Sequence, residues 1–400
     1  MKGREEQSLI FPGVSEKEIE RRHRRVKEIM EQEGIAALIV AGSQVNYGSG
    51  SHHVRYLTNI GIYFGESYLV FSSKEEPVLF CRSKNQALVN ATQVWGVRTQ
   101  GSGYTKFARD IATYLNELKV QHEKIGVVGI EFMPAYVFLE ICQLLPETKF
   151  VFVSDVLLNL RMIKTEEELN LVRKAGEIAD QAYMAIKETA RPGVWEYEVS
   201  AAVEKAYLSN GASFPSFLLL ASGESTALLD LAGSHRRLRE GDTIVEEFSP
   251  CYGGYWVQWG RPYVLGKPSR DMEKLFEVAL EAYHLTEREL RPGKTLGQVR
   301  KKIDYFIEER GYTPFITGLQ FIGLDMIEQG FLVSGEGRSV KPIAYPIDDK
   351  ELSPGMVVVI QPNVVTRDLS KGMLLIDTCI ITEGAPEILS HSPLKYTSIL

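Results

Sequence analysis

The hydrophobic pattern switches between helical and strand-like runs from the start of the chain. Ser15 to Gly34 predicts a helix. Ser15 can cap its first turn, Glu18 stands three residues on, and Gly34 follows its end. The continuous apolar run Ile35 to Val40 predicts a buried strand. Ser67 to Phe71 and Pro77 to Cys81 read as hairpin strands, Phe107 to Leu118 as a helix, and Lys124 to Val128 as another buried strand. Pro134 to Leu145 and Lys149 to Val153 add a helix and a strand. Helices alternating with short apolar strands predict a three-layer α/β unit that ends near residue 155.

The texture then changes. Thr165 to Thr189 predicts one long amphipathic helix, with Thr165 as cap ahead of Glu168. A second helix spans Trp195 to Ser209. Asp242 to Phe248 and Gly254 to Val264 read as strands, Arg270 to Arg291 and Leu296 to Arg310 as helices, and Met356 to Pro362 and Leu374 to Thr382 as strands. Helices set apart from paired strands predict an α+β unit. The expected division is residues 1–160 and 161–400, marked only by the charged turn at Lys164 to Glu168.

Composition narrows the class. Of 400 residues, 44% are hydrophobic and 24% charged, which excludes a disordered or fibrous chain. The 45 basic and 52 acidic residues leave a net charge of −7, so neither nucleic acid nor an anionic membrane is expected as partner. The N-terminus shows no signal-peptide core, and Ile35 to Ala41, the longest apolar stretch, is far short of the roughly 20 residues of a spanning helix. A cytoplasmic protein is expected. Cys81, Cys142, Cys251 and Cys379 are scattered without a CxxC pair, and reduced buried thiols are expected. Cys251, in the turn Pro250 to Gly254, is the one thiol worth watching. His52 and His53 read as an exposed loop.

Four stretches, in this order, resemble the creatinase, prolidase and aminopeptidase P family. They are Leu160 to Glu168; Leu238 to Glu247 with Gly254, Tyr255 and Arg261; Ile322 to Asp325 with Glu328; and Leu352 to Met356 with Pro362, Ile376 to Thr378 and Thr382 to Gly384. The resemblance covers essentially the whole chain. It implies an α/β creatinase-like N-terminal domain followed by an α+β pita-bread catalytic domain.

Family peptidases hold two divalent ions through two aspartates, a histidine and two glutamates. By resemblance, those positions here are Glu247, Gln258, Gln320, Gln361 and Ile376, and no histidine lies between Gly311 and Gly330. Neutral amides are poor ligands for such ions, and isoleucine is none. No bound metal or other cofactor is therefore expected. Four carboxylates without metal would repel one another, whereas amides keep the place polar at little charge.

Creatinase, the metal-free relative, implies a role for His235 in proton transfer. Glu247, the one ligand position that keeps a carboxylate, is expected to act as base or nucleophile or to bind a cationic substrate group. Gln258, Gln320 and Gln361 would orient a substrate, and Tyr255 and Arg261 would donate hydrogen bonds to it. Glu246 should point to the opposite face of its strand. Asp325, Glu328 and Asp377 read as holding loops and strand ends. The phrase Tyr63-Phe64-Gly65-Glu66 matches the segment that, in the family, reaches the partner's pocket in a homodimer. Phe64 and Glu66 are thus expected at a pocket, and Glu66 would favour a cationic or hydrogen-bond-donating small molecule.

Three functions stand open at this point. The first is a metal-independent, creatinase-like hydrolase of a non-peptide C–N bond in a small molecule. The second is a non-catalytic pita-bread binding protein. The third is an Xaa-Pro metallopeptidase.

Overall fold

A computed structural model describes residues 11–44, 50–62, 64–103, 105–227, 232–315, 318–328 and 350–399. Its contacts divide the chain into two compact units, Met1–Arg161 and Met162–Leu400. Tyr63 lies outside the described residues.

The first unit is a six-stranded mixed sheet with helices. Its strands are β1 (Ala37–Ser43), β2 (Glu66–Ser72), β3 (Val78–Cys81), β4 (Arg98–Gly101), β5 (Lys124–Val128) and β6 (Lys149–Phe152). Its helices are α1 (Glu16–Gln32), α2 (His52–Thr58), α3 (Lys84–Ala91), α4 (Phe107–Glu117), α5 (Ala135–Leu144) and α6 (Ser154–Met162), the last crossing the boundary. The strand order is β4-β3-β2-β1-β5-β6. β1 runs parallel to β5 and antiparallel to β2, so the buried run Ile35 to Val40 becomes a central strand, covered on both faces. Ser15 caps α1 by accepting from the Glu18 amide (3.3 Å), and Gly34 ends it at a φ of 62°.

The exposed-loop expectation for His52 and His53 is corrected. Both rings are buried in α2, and burial pushes both imidazoles well below their ordinary pKa. Sequence spacing alone could not show this, because a seven-residue helix carries too little periodicity.

The second unit begins with α7 (Glu166–Ala179), α8 (Gln181–Thr189) and α9 (Glu196–Ser209). The single helix expected over Thr165 to Thr189 is interrupted at Asp180. That carboxylate accepts from the backbone of His391 (2.7 Å) and Ser392 (3.0 Å), tying down the C-terminal segment. At its other end, Thr165 and Glu168 form the expected capping box. Strands β7 (Phe217–Ser222) and β8 (Thr243–Ser249) pair antiparallel. The strand expected over Gly254 to Val264 is instead broken. β9 (Cys251–Tyr252) and β10 (Tyr255–Trp256) form a small ribbon, and β11 (Tyr263–Leu265) joins β8 after two single bridges, Phe248 to Trp259 and Gly260 to Ile376.

Helices α10 (Arg270–Glu289) and α11 (Leu296–Glu309) follow, then β12 (Thr313–Pro314), β13 (Gly318–Phe321), β14 (Val357–Gln361), β15 (Asn363–Val365), β16 (Gly372–Leu374), β17 (Asp377–Ile380), β18 (Glu387–Ile388) and β19 (Thr397–Ile399). Two four-stranded sheets result, ordered β19-β11-β8-β7 and β13-β14-β17-β18. The helices cover the second: Leu275, Ala279 and Tyr283 of α10 and Val299 and Ile303 of α11 share one core with Val358, Ile360 and Leu375. This helix-on-curved-sheet core is the α+β arrangement read from the sequence.

One buried ion pair locks the start of this unit to the segment that follows β13. Lys164 Nζ pairs with the Glu328 carboxylate, and both side chains are 1% exposed. Glu328 also accepts from the Leu324 amide (3.1 Å). Lys164→Met strands a buried carboxylate. The expected cost is about 3–5 kcal/mol, read as a lower urea midpoint. Adding Glu328→Leu is expected to recover much of that loss, since an apolar pair of similar volume carries no desolvation cost.

Candidate active site

Glu247 sits near the end of β8, half-buried, with its side chain on the face opposite Glu246 because strand side chains alternate. Gln258 lies between β10 and β11. Its backbone is pinned to β17: the Gln258 N–H donates to Thr378 Oγ1 (2.7 Å), and that hydroxyl donates to the Gln258 carbonyl (3.0 Å). Gln320 and Gln361 come from neighbouring strands. The register pairs Gly318 with Gln361 and Gln320 with Val359, so both glutamines share one face of the sheet. A β-carbon on Gly318 would overlap Gln361 Oε1, so glycine leaves the room that amide occupies.

The four side chains form one hydrogen-bonded chain. Gln258 Nε2 donates to Glu247 Oε1 (2.8 Å), and Gln361 Nε2 donates to Glu247 Oε2 (2.7 Å). Gln320 Nε2 donates to Gln258 Oε1 (2.9 Å) and to the Met326 carbonyl (3.3 Å). The direction of these bonds is dictated by Glu247. An ionised carboxylate only accepts, so both neighbouring amides must turn NH₂ toward it. Gln258 then shows its oxygen to Gln320, which must also offer its nitrogen. Two buried acceptors are left over. Gln320 Oε1 and Gln361 Oε1 have no hydrogen-bond partner among the described residues, and these side chains are 0% and 2% exposed. Buried acceptors without partners are costly, so the cluster is suited to a group that brings N–H donors.

The remaining candidates take other places. Tyr255 donates to Glu168 Oε1 (2.8 Å), the glutamate of the capping box, and so braces α7. Arg261 is buried and donates from Nη2 to both oxygens of Asp377 (2.8 and 3.0 Å) and from Nη1 to the Ile376 carbonyl (2.8 Å). It therefore joins β11 to β17 rather than facing the amide cluster. Ile376 is a buried bridge partner of Gly260. His235 is exposed, its ring 5.1 Å from that of Tyr197 and 6.3 Å from that of Trp195. Its neighbours are held from below: the Ser234 backbone donates to Glu196 (3.1 Å), and Arg236 forms a two-point pair with Asp242. Cys251 is buried in β9. In the first unit, Phe64 is exposed and Glu66 accepts from the Tyr68 hydroxyl (3.2 Å). Thr378 and Gly318 were not singled out from sequence. Thr378 stands in the phrase Ile376 to Thr378, but its role needs the strand register.

Glu246 differs sharply from Glu247. It is buried, accepts from the Arg261 amide (2.7 Å), and its Oε2 has no partner among the described residues. Burial pushes its carboxyl well above the ordinary value of 4.5, an effect only partly offset by Arg261. Above pH 4.5, unfolded Glu246 releases a proton that the folded state retains. Its contribution to stability therefore falls as pH rises through that window. Glu246→Gln is expected to flatten the fall. Its unfolding midpoint should exceed that of the unsubstituted protein at pH 8, while the two midpoints lie close together at pH 4.

The two units are thus a creatinase-type N-terminal domain and a pita-bread domain. Residues 170–383 match metallopeptidase family M24, and residues 22–163 match the creatinase/prolidase N-terminal domain. The chain belongs to family M24. It is 31% identical over 331 residues to an Xaa-Pro dipeptidase of Pyrococcus furiosus, covering 76% of this chain and 91% of the relative. It is 24% identical over 440 residues to the Xaa-Pro aminopeptidase of Escherichia coli, covering 96% of each. Among solved structures, the X-Pro aminopeptidase of Thermotoga maritima superposes with a TM-score of 0.80 at 22% identity, over 94% of this chain and 99% of that one. A prolidase of Thermococcus sibiricus gives 0.81 at 21%, over 96% and 100%.

These relatives correct the first functional expectation. They are named as peptidases acting at Xaa-Pro, so the creatinase-like, metal-independent hydrolase of a non-peptide C–N bond is set aside.

The metal pair of the family does not fit the residues present. The positions that the resemblance assigns to metal ligands hold one carboxylate, three amides and an isoleucine. A single carboxylate among neutral amides lacks the several anionic or imidazole donors that a pair of divalent ions needs. Among the described residues, no group of three or more histidine, cysteine, aspartate or glutamate side chains could hold a metal ion. No helix among them is long and apolar enough to cross a membrane.

Proposed function

We propose that this protein is a peptide-directed member of family M24 that takes short peptides with an Xaa-Pro bond at the Glu247 cluster. The observation that carries this reading is the polarity of the cluster. One carboxylate and two leftover buried carbonyls match a ligand rich in N–H donors. In an Xaa-Pro dipeptide the peptide nitrogen carries no hydrogen, so the donor is the α-ammonium group. Its charge complements Glu247, and its three N–H bonds suit several acceptors. The names of the relatives support the peptide class. A homodimer acting in the cytoplasm fits the same reading, with the Phe64 to Glu66 segment of one subunit serving the partner's pocket.

The test is calorimetric titration of the full-length protein with Xaa-Pro dipeptides, paired with chromatography of the products, with and without added Mn²⁺. Binding with release of proline is expected for a peptidase, and binding without release restricts the role to recognition. N-acetylation of the dipeptide, which removes the ammonium, is expected to abolish binding. A protein that neither binds nor cuts these peptides overturns the proposal.

A further inference from the structure

We propose that the first unit carries a separate binding site for a small organic carboxylate with an apolar body, centred on Arg55. The site is a cavity of about 530 Å³, within the range of small-ligand pockets. Its lining includes Arg55, Arg82, Asn85, Gln86, Phe64 and Val89, and no aspartate or glutamate among the described residues. None of its residues belongs to the Glu247 cluster, and only Phe64 is shared with the segment assigned above to the partner's pocket.

Arg55 is the informative residue. It lies in the last turn of α2 and is 9% exposed. Among the described residues its guanidinium makes no hydrogen bond and no ion pair, whereas the buried Arg22 and Arg261 each have acceptors. Arg22, for example, donates to Glu18 (2.8 Å) and to the Tyr56 carbonyl (2.9 Å). A guanidinium at a cavity wall with no protein partner among the described residues keeps its N–H donors for a group that enters the cavity. The chain also makes room for it. A β-carbon on Gly61 would overlap Nη2 of Arg55, and Gly61 is not among the residues with positive φ. That glycine is therefore explained by the guanidinium lying against it, not by a turn.

The rest of the cavity defines the ligand. Arg82 brings a second cation, its Cζ 5.1 Å from the centre of the exposed Phe64 ring. Gln86 Oε1 is buried without a partner among the described residues, so a ligand N–H or O–H can be accepted beside the anion. Phe64, Ile60 and Val89 provide apolar wall. A planar guanidinium matches a planar carboxylate in a two-point bond, and the apolar wall asks for a carbon body. Inorganic phosphate would satisfy the charge and waste the wall.

Phenylacetate, phenylacetamide and inorganic phosphate are the probes, titrated calorimetrically into the full-length protein. Phenylacetate is expected to bind at least ten times more tightly than either of the others. Arg55→Gln should weaken phenylacetate binding at least tenfold, while circular dichroism and Xaa-Pro peptide binding stay unchanged. Arg82→Gln should weaken it less. No binding of phenylacetate, equal binding of the neutral amide, or unchanged affinity in Arg55→Gln overturns the proposal. Equal or tighter binding of phosphate replaces the carboxylate by a phosphate site and overturns it as well. The comparison of the three probes uses the unsubstituted protein and decides the matter even if Arg55→Gln fails to fold.

Discussion

Asp377→Ala is expected to be the most damaging single substitution in the second unit. Asp377 is 0% exposed and takes both of its bonds from Arg261 Nη2, with a further hydrogen bond from the Tyr283 hydroxyl (2.6 Å). The change leaves the guanidinium buried without its anion and the phenol without its acceptor. Breaking a buried pair in this one-sided way costs about 3–5 kcal/mol. For a domain of ordinary stability, about 5–15 kcal/mol, that is a large share. Urea denaturation followed by tryptophan fluorescence is the measurement. Asp377→Asn, which keeps the shape and part of the hydrogen bonding, should lose distinctly less. Equal midpoints for Asp377→Ala and the unsubstituted protein would show that Arg261 finds another partner.

Glu247→Gln is expected to have the largest effect on ligand binding. The substitution keeps the shape of the side chain but removes the charge that orders the amide chain. The new amide offers one acceptor where Gln258 and Gln361 need two, so one NH₂ group loses its partner. A hydrogen bond to a charged group contributes about 1.5–3 kcal/mol, so affinity for an Xaa-Pro dipeptide should fall roughly 10- to 100-fold. The unfolding midpoint should move far less than in Asp377→Ala, because Glu247 is only half-buried. Affinity within a factor of two of the original would place the peptide elsewhere.

Much of the framework could be read from the chain itself. Local signals carried it wherever the physics is local. Ser15 with Glu18, and Thr165 with Glu168, are capping pairs three residues apart, and both form as expected. The run at Ile35 to Val40 is apolar on both strand faces because β1 lies between β2 and β5. Reading failed where neighbours in space decide. The break at Asp180 comes from a partner more than 200 positions away in the chain. The buried state of His52 and His53 depends on the packing around α2, which no short pattern records.

The site divides in the same way. Motif order located Glu247, Gln258, Gln320 and Gln361 as positions that belong together, and the fold joins them in one hydrogen-bonded chain. The same reading also drew in Tyr255 and Arg261. In the fold the Tyr255 hydroxyl donates to Glu168 and the Arg261 guanidinium to Asp377. Residue identity by itself does not say which acceptor each donor meets.

The sequence by itself determined the two-unit order, the capped helices α1 and α7, and which side chains stand at the positions the resemblance assigns to metal, because periodicity, capping and donor chemistry are properties of single residues and near neighbours. Only the tertiary structure decided the direction of the amide chain, the exposed position of His235 and the lack of a partner for Arg55 among the described residues. Those depend on strand register and on distances between residues far apart in the chain, and no local interaction encodes them.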